Sequence, residues 1–186
     1  MISCVIDANV TLNLLYVDAH TCLSIKKLLS ELENLENFKI VIPHEAYKEI
    51  KRVNQRRRVK NWEKSSIVKI HKPLSSDEID NCISLFSRRL HVGEISMFLI
   101  VRKNKNSIGF TNEVLATKKF SKLIPLLHGI WFFRKMYELR IITEDEFNKI
   151  VKISNKDMKL PENILASTIE NVSNIRLKNF LITFHL

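Results

Sequence analysis

Four carboxylates in this chain stand where an apolar run meets a helical pattern. The run Ile2-Ser3-Cys4-Val5-Ile6 ends in Asp7-Ala8-Asn9, and Phe38-Lys39-Ile40-Val41-Ile42 stops at Pro43 and is followed by Glu45 and Glu49. Gly93-Glu94 opens an apolar stretch, and Ser107-Ile108-Gly109-Phe110 leads into Thr111-Asn112-Glu113. Short apolar runs bounded by turn-forming residues read as buried strands, so each hands a polar group to its carboxyl end. In open α/β sheets, that is where ligands collect. Carboxylates gathered at one sheet edge repel unless hard divalent cations hold them together. Mg²⁺ takes oxygen ligands and completes its octahedron with water or substrate phosphate. Two such ions, roughly 4 Å apart, activate water and stabilise the leaving oxygen in phosphodiester cleavage. Each acid alone reads more readily as a helix cap or a surface group than as a site residue. Four at element ends reverse that preference for Asp7 and Glu49, less clearly for Glu94, and leave Glu113 evenly balanced.

The elements needed to position these groups are legible in the periodicity. Helical spacing continues through residues 10–16 and again through Cys22, Ile25, Leu28, Leu29 and Leu32, giving one or two helices. Pro43 suits the first turn of a helix, which places Glu45 and Glu49 on one face. Ile67-Val68-Lys69-Ile70 reads as a strand, and Ser75-Ser76-Asp77-Glu78 as a capped helix start. Further helices follow Gly93, Glu113 and Gly129, with residues 123–127 as the last core strand. Strands alternating with helices predict a parallel α/β sandwich over residues 1–142. From Thr143 the pattern is helical, and residues 143–186 are expected to pack as an extension on the same domain. A connecting loop is expected at 155–160 and another helix after Pro161-Glu162, while residues 179–186 fit a strand or a helix equally.

Thirty Lys and Arg against twenty Asp and Glu leave a net charge of +10, which favours a polyanionic partner, nucleic acid first. The basic residues concentrate between Lys51 and Lys64. Arg52, Arg56, Arg57, Arg58 and Lys60 are the candidate phosphate contacts, with Trp62 available for base stacking. The competing reading is a solvated helix end that complements its dipole, with Trp62 in the core. The longest apolar stretches fall far short of the roughly 20 residues a membrane span needs. The start of the chain lacks the pattern of a secretory signal, which points to the cytoplasm. Cys4, Cys22 and Cys82 are widely spaced in apolar segments and read as reduced core thiols. His20, His44, His71, His91, His128 and His185 show no metal-ligand spacing and read as surface or structural histidines. With three glycines, the chain carries no phosphate loop or dinucleotide fingerprint, and serine-hydrolase and zinc-protease motifs are also missing.

In order and spacing, these motifs resemble the PIN-domain nucleases over about three quarters of the chain. Asp7-Ala8-Asn9 resembles the first acidic motif. The second is matched by Pro43-His44-Glu45-Ala46-Tyr47-Lys48-Glu49-Ile50, with Glu49 as the site acid and Glu45 as runner-up. Gly93-Glu94-Ile95 is similar to the third motif in the Gly-Glu branch, and Phe110-Thr111-Asn112-Glu113 to the fourth, which is commonly Thr-Asp-Asp. The resemblance implies a three-layer sandwich with a mainly parallel sheet, and Mg²⁺- or Mn²⁺-dependent endonucleolytic hydrolysis of RNA without a covalent intermediate. Asp7, Glu49 and Glu94 would be metal ligands, with Asn112 or Glu113 completing the shell and Asn9 or Thr111 positioning a ligand or phosphate. Members of this size resemble the toxin half of toxin–antitoxin pairs, which implies a small antitoxin protein and a homodimer. Asn112 stands where the family usually has an acid and so supplies no charge. A catalytically degenerate RNA-binding protein is therefore the alternative. A doubly wound phosphatase also begins with a strand-end Asp but needs a second Asp where this chain has Asn9.

Overall fold

A computed structural model describes residues 2–20, 27, 29, 30, 32, 38–86, 90–138 and 140–158. The strands are β1 (Ile2–Ile6), β2 (Phe38–Ile42), β3 (Val68–Ile70), β4 (Ser107–Thr111) and β5 (Leu126–His128). Among the described residues, the helices with both ends defined are α1 (Ala8–His20), α2 (His44–Glu49), α3 (Val53–Trp62), α4 (Ser76–Phe86), α5 (Val92–Lys103), α6 (Val114–Phe120), α7 (Ile130–Glu138) and α8 (Glu144–Met158), and residues 27, 29, 30 and 32 are also helical. The five strands form one wholly parallel sheet in the order β3-β2-β1-β4-β5. This is the α/β architecture expected from the alternating pattern. Parallel strands need crossover helices, and those helices bury both sheet faces.

Side-chain alternation divides the core in two. Cys4 and Ile6 of β1 join Ile40, Ile42, Ile108, Phe110 and Leu127 beneath Val10, Leu14, Val59, Trp62, Phe132 and Phe133, on the side of α1, α3 and α7. Val5, Val41 and Leu126 face the other way, against Cys82, Ile95, Phe98, Ala116 and Phe120 of α4, α5 and α6. Phe98 stacks on Phe120, and Phe86 meets both edge-on. Each fully buried side chain of this size contributes on the order of 2 kcal/mol by leaving water. Gly109 in β4 admits this packing: a Cβ there would lie 2.8 Å from Leu126 Cδ1 and 3.1 Å from the Met97 sulfur.

Several expectations shift. The last strand begins at Leu126, not at 123, because Leu123 lies exposed in a turn and Pro125 has no N–H for the ladder. Pro125 still offers its carbonyl to Gly109 N at 3.0 Å. Residues 155–158 continue α8 instead of forming a loop. That helix starts as a Thr-x-x-Glu capping box: Thr143 N donates to Glu146 Oε2 at 2.7 Å, and Glu146 N to Thr143 Oγ1 at 3.3 Å. It packs on α7, where Phe147 stacks on Tyr137 and Ile150 is buried. Trp62 belongs to the core, which removes it as a stacking platform. Cys4 and Cys82 are buried free thiols, and burial raises the pKa of both. Cys22, His185 and the helix expected after Pro161 lie outside the described residues. Among the described residues, no helix is long and apolar enough to cross a membrane.

Candidate functional site

The strand order reverses between β1 and β4, which are neighbours although a hundred residues separate them. At such a switch point the connections leave in opposite directions and open a crevice at the carboxyl edge. Asp7 and Thr111 meet there. Thr111 Oγ1 donates to Asp7 Oδ2 at 2.5 Å, and Val10 N donates to Asp7 Oδ1 at 2.8 Å. Asp7 therefore caps α1 with one oxygen and joins Thr111 with the other, so one carboxylate serves both the cap and the cluster. Thr111 Oγ1 in turn accepts from Glu113 N at 3.1 Å, and Asn9 Nδ2 donates to Glu113 Oε1 at 3.0 Å.

Glu49 and Glu94 join from α2 and α5. Gly93 N donates to Glu49 Oε1 at 2.8 Å, which ties the end of α2 to the start of α5. Gly93 is required by close approach: a Cβ there would lie 2.9 Å from Glu49 Oε2 and 3.0 Å from Ala46 Cα. Glu94, only 4% exposed, accepts from His91 N at 3.1 Å and so closes the first turn of α5. Glu45 is engaged differently, with one oxygen accepting from Leu74 N at 3.3 Å and the other buried without a hydrogen-bond partner.

Electrostatically, the acids form one group. Burial pushes the Asp7 carboxyl up to about 6 against the pull of its Thr111 and Val10 hydrogen bonds, and the charges of Glu113 and Glu49 add to the rise. Burial likewise takes Glu94 to about 8, opposed by the His91 N–H and assisted by Glu113, Asp7 and Glu49. The ion pairs seen among the described residues engage Glu63, Glu78 and Glu138, and none reaches these four carboxylates. Among the described residues, no three His, Cys, Asp or Glu side chains already converge on a single metal position. The donor set is nevertheless the one a hard cation takes: oxygen only and without a cation partner among the described residues, with Asp7 and Glu94 raised in proton affinity first by burial and then by the neighbouring acids.

Asn112 sits differently from its neighbours. Its amide fills the space left by the missing Cβ of Gly129, where an added Cβ would lie 2.4 Å from Asn112 Oδ1 and 2.6 Å from Val10 Cγ2. Both amide atoms are buried without a hydrogen-bond partner, an arrangement that costs roughly 1–3 kcal/mol. Thr111 and Glu113 are thus linked to Asp7 and Asn9, while the residue between them turns toward α1 and α7.

Of the basic residues, Arg52 caps the backbone of α3 only three positions after Glu49 and is exposed, as is Arg57. Arg56 and Arg58 are partly buried, and Lys60 pairs with Glu63, so the expected row of free phosphate contacts is uneven. Sequence spacing did not nominate His128. It pairs in register with Thr111 at the end of β5, and that juxtaposition exists only in the assembled sheet. No protein-family model, curated protein or solved structure matches this chain.

Proposed function

We propose that this protein is a PIN-like, divalent-metal-dependent endoribonuclease. The observation that carries the reading is the group of four carboxylates at the switch point of a parallel sheet, two of them buried and none balanced by an ion pair among the described residues. Asp7, Glu49, Glu94 and Glu113 would hold Mg²⁺ or Mn²⁺, whose chemistry when bound is to lower the pKa of a coordinated water and neutralise phosphate charge. Thr111 keeps Asp7 ionisable and oriented by donating to Oδ2, and Asn9 holds Glu113 by one oxygen. Gly93 N does the same for Glu49. The exposed Arg52 and Arg57 supply positive charge for an RNA backbone that would otherwise be repelled by the acids.

The test is cleavage of a mixed RNA substrate in Mg²⁺, Mn²⁺ or EDTA by the native protein and by Asp7→Asn. The substitution preserves side-chain shape, so the expected result is a folded protein whose metal-dependent cleavage falls at least about 100-fold. No cleavage by the native protein, despite metal binding, overturns the reading. A second reading, a binding protein that has lost turnover, is favoured by one observation: the Asn112 amide is turned to Gly129. It predicts salt-sensitive RNA binding that is indifferent to metal.

A further inference from the structure

The acid cluster is rich in acceptors and poor in donors, yet a phosphodiester presents only acceptor oxygens. Thr111 spends its hydroxyl proton on Asp7, and Asn9 directs an amide proton to Glu113. His128 stands beside Thr111 in the neighbouring strand. The pairs Ile6 with Phe110 and Thr111 with His128 put Asp7, Thr111 and His128 in one row across β1, β4 and β5. Alternation from Val5 and Leu126 turns that row toward the α5 side of the sheet, where Glu94 begins its helix.

The ring's tautomer follows from its hydrogen bond. Ile130 N donates to His128 Nδ1 at 3.2 Å, so Nδ1 is the acceptor. Burial lowers the histidine to about 4, which leaves the ring neutral at physiological pH with its single proton on Nε2. The backbone bond holds one edge of the imidazole and commits the other as a donor.

Resting on the nuclease reading above, we propose that His128 donates its Nε2–H to a non-bridging oxygen of the bound RNA phosphodiester, as a substrate-binding group beyond the acids. Two substitutions separate this role from capping α7. In His128→Asn, the side-chain oxygen replaces Nδ1 and keeps the bond from Ile130 N, but nothing reaches the Nε2 position. In His128→Gln, an amide reaches that position while the cap is lost.

The experiment measures Mn²⁺-dependent cleavage of single-stranded RNA, Mn²⁺ affinity by titration calorimetry, and Tm for the native protein and both variants. Expected for His128→Asn is a near-native Tm and Mn²⁺ affinity, with kcat/KM reduced about 10- to 100-fold, the loss of one charge-assisted hydrogen bond. Expected for His128→Gln is a lower Tm with most of the cleavage retained. Native-like cleavage by His128→Asn overturns the proposal, as does a fall in its Mn²⁺ affinity parallel to the fall in rate. If His128→Asn fails to fold, His128→Gln decides: retained cleavage supports the donor, and loss at unchanged Mn²⁺ affinity overturns it. A native protein that leaves RNA intact removes the nuclease reading itself, and this assignment with it.

Discussion

At the scale of single residues, the site is held together by conflict. Asp7 and Glu94 are buried acids whose neighbours are acids, so the folded chain without metal holds protons that the unfolded chain releases. Asp7 rises from 3.8 to about 6 and Glu94 from 4.5 to about 8. Between those values the folded state binds more protons at these two acids, and their contribution to stability falls as pH rises, by at most about 1.4 kcal/mol per unit for each group within its own window. His128, lowered from 6.5 to about 4, opposes them below about pH 6.5 and leaves the net fall to Glu94 at higher pH. Urea denaturation in EDTA at pH 5 and pH 8 checks this: the native protein is expected to be less stable at pH 8, and Asp7→Asn to flatten the lower part of the slope. Mn²⁺ competes with these protons and is expected to raise Tm more at pH 8 than at pH 5. A pH-independent stability in EDTA would mean that the acids are better solvated than their burial implies.

At the scale of elements, caps and turns decide how helices reach the sheet edge. Ser75 caps as its sequence motif predicts, and Thr143 opens α8 by the same device, because both motifs are local and complete within four residues. The end of α7 was not legible in the same way. Ile141 N bonds Met136 O at 2.9 Å and Arg140 N bonds Tyr137 O at 2.8 Å, a Schellman closure that puts Arg140 at a φ of 58°. Glycine ordinarily occupies that position, and an arginine there costs about 1 kcal/mol. Arg140→Gly is therefore expected to stabilise the fold by about 1 kcal/mol in urea denaturation, without altering the acid cluster. The closure also brings Ile141 and Ile142 back onto the core, which starts α8 against α7.

At the scale of the whole molecule, the balance of charge and the placement of acids oppose each other. A chain of net charge +10 gathers four of its twenty acidic residues at one sheet edge and begins a basic helix at Val53, four positions after Glu49. If that helix grips RNA, replacing Arg52, Arg56 and Arg57 with Ala should reduce the slope of log affinity against log salt by about 2, measured by fluorescence anisotropy on single-stranded RNA. An unchanged slope would assign the basic residues to solubility alone.

The sequence by itself determined the alternation of strands and helices, and the delivery of Asp7, Glu49, Glu94 and Glu113 to element ends, because apolar period and turn chemistry are local. Tertiary structure alone decided which ends meet. Thr111 finds Asp7 across 104 positions because β4 pairs with β1, a choice made by non-local burial. It also decided that Asn112 turns to Gly129 while His128 lines up with Thr111. A one-residue change in register would send each side chain to the opposite face of the sheet, and only the packed strands hold that register.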